Sequence, residues 1–141
     1  MKGVYCLILC LSEDREIRIG KSGTRMFKAG RYIYTGKHMV NVEKRIARHF
    51  KKDKVLRWHI DYLRAYASSL VSIVEKTTDA GLECKVAGEL CRRFELVEGF
   101  GNSDCKKCPA HLVFAGNMPL TQIMDVIIEV FKRPKIGTNR T

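Results

Sequence analysis

The chain carries two short aromatic pieces, Gly3-Val4-Tyr5 and Tyr34-Thr35-Gly36, followed by a basic stretch in which Arg45 and His49 stand four residues apart. Residues at that spacing share a helix face. Phenols, a guanidinium and an imidazole gathered at one sheet edge suit displacement at phosphorus. That chemistry needs a group to take a proton, a group to hold the charge developing in the transition state, and a carboxylate for a metal ion. Each residue type also has a commoner use, since most strand tyrosines only pack and most helical arginines are simply solvated. Everything therefore depends on which elements bring them together.

The first strand runs over about residues 3 to 11 and ends at the polar turn Ser12-Glu13-Asp14. Alternation in Glu16-Ile17-Arg18-Ile19-Gly20 predicts a second strand, and Arg31 to Thr35 a third that ends at Gly36. Met26 and Phe27 fall in a loop bracketed by glycines, and short connections predict an antiparallel meander of the three strands. Asn41 is the expected N-cap of a helix over 42–52, with Val42, Ile46 and Phe50 on its apolar face. Trp58-His59-Ile60-Asp61 opens a second helix, Leu70 to Val74 reads as a strand, and Asp79 is the expected cap of a third helix reaching Phe94. A short strand at His111 to Phe114 precedes Pro119, which opens a last helix facing inward through Ile123, Ile127, Val130 and Phe131. The expected class is α/β (α+β): a small mixed sheet with an antiparallel three-stranded core, flanked by helices. One domain covers 1–131, and 132–141 forms a basic, flexible tail.

With 141 residues, 45% of them apolar, the chain can bury one real core, which excludes general disorder. The net charge is +11 and the pI near 9.6, an excess that favours a polyanionic partner, most often nucleic acid. Arg45, Arg48, Lys51, Lys52, Lys54, Arg57 and Arg64 concentrate it beside the candidate residues. No apolar run reaches membrane-span length, and the apolar start runs into Ser12-Glu13-Asp14 without a small-residue cleavage site. The expectation is a soluble, cytoplasmic chain with no membrane partner. Among six cysteines, Cys6 and Cys10 lie in the first strand, and Cys84 and Cys91 sit at helical spacing as buried free thiols. Cys105 and Cys108, with His111, have ligand-like spacing; a structural zinc site and a thiol pair are both open readings.

Taken together, Gly3-Val4-Tyr5, Tyr34-Thr35-Gly36 and the helix Asn41 to Phe50 resemble the GIY-YIG nuclease superfamily. Trp58-His59-Ile60-Asp61-Tyr62-Leu63 and the stretch from Gly99 through Leu112 resemble its Uri superfamily endonuclease branch. The resemblance spans about residues 2 to 115. It implies divalent-metal-dependent hydrolysis of DNA phosphodiesters in repair or processing, with RNA also open as a substrate. Tyr5 and Tyr34 would line the site, with Tyr34 orienting or deprotonating water; Arg45 would hold the transition-state charge; His49 would assist; Glu83 would hold Mg2+ or Mn2+. Lys37, Arg48, Lys51, Lys52 and Asn102 would contact nucleic acid. The alternative is a non-catalytic nucleic-acid-binding module on the same scaffold.

Overall fold

The strand Gly3–Leu11 (β1) is buried along nearly its whole length because both of its faces are covered. In this computed structural model, which describes residues 1–98 and 110–132, successive β1 side chains divide between two cores. Tyr5, Leu7, Leu9 and Leu11 point into one; Val4, Cys6 and Ile8 point into the other. A period-2 element with two apolar faces reads in sequence as one continuous apolar run.

The remaining described strands and α-helices are β2 (Arg15–Arg18), β3 (Thr24–Phe27), β4 (Gly30–His38), α1 (Val42–Phe50), α2 (His59–Tyr66), β5 (Ser69–Lys76), α3 (Leu82–Arg93), β6 (Glu95–Leu96), β7 (Leu112–Gly116) and α4 (Leu120–Lys132). The fold is α+β. Its main sheet has the order β5-β1-β4-β7-β6, and every described pair is antiparallel rather than mixed. Residues from α1, α2, β2 and β3 join the first core, while α3 and α4 close the second.

The sequence expectation fails in four local ways. Residues 24–27 are a strand, not a loop, and pair with β2 in a separate two-stranded sheet, so the three-strand meander does not form and β1 pairs directly with β4. In β3 only Phe27 is buried, which leaves little alternation to read. Phe50 is 44% exposed, and α1 instead buries Val42 and His49. Asp79 accepts from the Gly81 N–H at 2.9 Å in a turn before α3 rather than capping the helix itself. Cys84 is disulfide-bonded, whereas Cys91 is free, its thiol donating to the Ala110 carbonyl.

Two glycines fix how the elements meet. Gly3 packs under α1, where an added Cβ would stand 3.1 Å from Val42 Cγ1. Gly36 is the register partner of Tyr5 in the β1–β4 ladder. The expected cap of α1 is present: Asn41 Oδ1 accepts from the Lys44 N–H at 3.0 Å.

Candidate active site

Where β1, β4, α1 and α3 converge, a cavity of about 490 Å³ opens to solvent, lined by Tyr5, Tyr34, Lys37, Arg45, Glu83 and His111, among others. The strands supply Tyr5 and Tyr34 from the same sheet face, since Leu7 pairs with Tyr34 and Tyr5 with Gly36. The first turn of α3 supplies Glu83, and His111 precedes β7.

Tyr5 is 1% exposed, and its hydroxyl lies 2.8 Å from His49 Nε2. Burial pushes this phenol well above its usual value, and Tyr34 alongside adds to the rise. Arg45 opposes both, through its charge and a side-chain hydrogen bond. Burial pushes His49 down to about 3, with Lys54 helping and Asp61 opposing. The imidazole is therefore neutral near pH 7, and its Nδ1 has no hydrogen-bond partner among the described residues. Two neutral groups share one hydrogen bond at the back of the cavity. Tyr5 ionises there only if cationic charge stabilises phenolate.

Trp58 and Asp61 set the basic side of the cavity. The guanidinium carbons of Arg45 and Arg48 lie 4.4 and 4.2 Å from the Trp58 ring centroid, within cation–π range. Asp61 is fully buried and accepts from Arg48 Nη1 at 3.0 Å, Arg48 Nη2 at 3.1 Å, and the N–H groups of Arg57 and Trp58 at 2.8 and 3.0 Å. Burial alone would raise the Asp61 carboxyl; these donors outweigh it and hold it below the usual range. Arg64 ties in the end of α1, donating to the His49 carbonyl at 2.9 Å and the Phe50 carbonyl at 2.9 Å.

Glu83 is 7% exposed. Its Oε1 lies 3.5 Å from Lys37 Nζ, and its Oε2 lies 3.6 Å from His111 Nδ1. Among the described residues, Glu83, Cys84 and His111 form the group whose ligand atoms all fall within 4.8 Å of one another. A hard ion such as Mg2+ can use one protein carboxylate and complete its shell with water and substrate oxygens. A buried carboxylate at the wall of an open cavity meets that requirement.

The other expected site residues divide. His49 sits behind the cavity wall and reaches it through Tyr5. Arg48 spends its terminal nitrogens on Asp61 and on the Val55 carbonyl. Lys51 lines an adjoining groove of about 360 Å³ along α1, with Lys44 and Asn41; His38 and Arg45 border both hollows. Lys52 is exposed just beyond α1. Asn102, Cys105 and Cys108 lie outside the described residues. His111, expected with the cysteine pair, faces Glu83. The part played by Asp61 was not foreseen, although an acid three residues after a helix-capping position is a readable capping signal.

The model of a family described as "Domain of unknown function DUF123" matches residues 4–133. The chain belongs to this family. The match runs from the second residue of β1 through the end of α4 and takes in all the residues of the cavity, so the site lies within the family's domain. No curated protein and no solved structure matches the chain.

Proposed function

We propose that this chain is a divalent-metal-dependent endonuclease of the GIY-YIG superfamily, of the Uri branch, hydrolysing DNA phosphodiester bonds in repair or processing. One observation carries the reading: Tyr5, Tyr34, Arg45 and Glu83, far apart in sequence, line one cavity. The basic groove along α1 continues from it and suits a phosphate backbone.

In this account Arg45 donates to the non-bridging oxygens, where charge grows as water attacks in line. Its contact with Trp58 restricts the guanidinium without consuming its donors. Tyr34, half-buried at the cavity wall, orients the attacking water. The Tyr5 hydroxyl and neutral His49 Nε2 share one hydrogen bond, which fixes the phenol at the back of the cavity beside Tyr34 and Arg45. Lys37 leaves Glu83 for a phosphate oxygen when substrate enters. Mg2+ or Mn2+, held by Glu83 when bound, supplies positive charge for the phosphate oxygens. The cavity contacts phosphate and sugar, so substrate choice rests on strand geometry more than base sequence.

The test is a panel of labelled duplex, flapped, branched and single-stranded DNA and RNA, incubated with the protein and Mg2+ or Mn2+. Cleavage of DNA that stops with chelator supports the reading. Binding without cleavage under every metal condition would leave the non-catalytic module in its place.

A further inference from the structure

Glu83 and His111 are 7% and 3% exposed, yet both reach the cavity. Their facing atoms stand 3.6 Å apart, beyond the roughly 3.2 Å limit of a good N–H···O bond. Ligands about 2.1 Å from a shared ion lie roughly 3.0 Å apart at a right angle and roughly 3.4 Å apart at a tetrahedral angle. The observed spacing is closer to the tetrahedral value. Cys84 brings its sulfur within 4.8 Å of both partners, but that sulfur is disulfide-bonded. A disulfide sulfur is a poor ligand, whereas a thiolate is a strong one for a borderline-soft ion.

We propose that Glu83, Cys84 and His111 form a zinc site at the cavity wall once the Cys84 disulfide is reduced. An oxygen, nitrogen and sulfur donor set with one position open fits tetrahedral Zn2+ and not Mg2+, which takes oxygen ligands. The proposal deepens the nuclease reading and rests on it only in naming the cavity catalytic; there, Zn2+ and Mg2+ compete for the Glu83 carboxylate. Thiol redox state thereby selects which ion the carboxylate holds. Lys37, 3.5 Å from the same carboxylate, is the charge the ion displaces.

The electron balance can be set in the test tube with a phosphine. Phosphorus gives two electrons to the disulfide, water supplies two protons, and its oxygen leaves as phosphine oxide. Binding of the ion then releases the Cys84 thiol proton.

Co2+ serves as the visible probe for Zn2+, added to the full chain without nucleic acid. Phosphine-treated protein should bind Co2+ with a thiolate-to-cobalt charge-transfer band and tetrahedral ligand-field bands, and Zn2+ should displace both. Untreated protein and Cys84→Ser should lack the charge-transfer band. His111→Gln should lose more affinity than the roughly 10–100-fold typical of an outer-shell partner. Thermal melts of each variant verify folding. A charge-transfer band undiminished in Cys84→Ser, or equal Co2+ affinity before and after reduction, would overturn the proposal. Because the readout needs no substrate, absence of cleavage bears on the nuclease reading alone.

Discussion

The ring of Tyr5 lies across Gly36: a Cβ added there would stand 2.5 Å from the Tyr5 hydroxyl oxygen and 2.6 Å from its Cζ. The glycine of one motif thus makes room for the tyrosine of the other. Gly36→Ala should force the ring aside, weaken the hydrogen bond to His49, and cost about 1–3 kcal/mol as an overpacking change. Chemical denaturation measures the cost, and cleavage should fall well below wild type.

Removing the Asp61 carboxylate strands Arg48 and exposes two backbone N–H groups to a buried vacancy. Asp61→Ala should destabilise the fold by about 3 kcal/mol, the lower end for a broken buried pair because Arg48 is partly exposed. Asp61→Asn keeps an acceptor for the Arg57 and Trp58 N–H groups and should cost less. Urea unfolding of the two variants gives the comparison.

His49 makes stability depend on pH. Its folded value of about 3 lies below the ordinary 6.5, so between those values the unfolded chain binds more protons. Stability should therefore fall as pH drops from about 6.5 toward 3. Asp61, with its carboxyl held low, contributes its own loss only below the usual carboxylate range near 4. Melting temperatures between pH 7 and 5 should decline in wild type and stay flatter in His49→Gln.

The groove along α1 predicts a salt signature. If Lys44 and Lys51 each neutralise a phosphate, the double alanine variant should reduce the slope of log affinity against log salt by about 1.8 on duplex DNA. Fluorescence anisotropy at several salt concentrations gives the slope. An unchanged slope would remove the groove from the binding path.

Much of this was legible in the residues. The β1 apolar run, the Asn41 cap and the inward face of α4 depend on local patterns that tertiary packing did not override. Leu7 opposite Tyr34 follows from strand pairing, which a hydrophobic period cannot register in advance. β3 was hidden because its partner is a short hairpin strand and just one of its side chains is buried. The burial of His49 was hidden as well: a helix position next to arginines reads as solvated until Tyr5 and Trp58 are seen packed against it. His111 stands close to Cys105 and Cys108 in sequence, whereas in the fold it faces Glu83 of α3.

The central claim is that Arg45 and Glu83 act on one phosphodiester. Cleavage rates of a DNA substrate by wild type, Arg45→Ala and Glu83→Gln, with Mg2+ or Mn2+ and again with chelator, test it most directly. The expected result is metal-dependent cleavage by wild type, a loss of about 10²–10³-fold in Arg45→Ala, and cleavage near background in Glu83→Gln. Full metal-dependent activity in either folded variant would contradict the account.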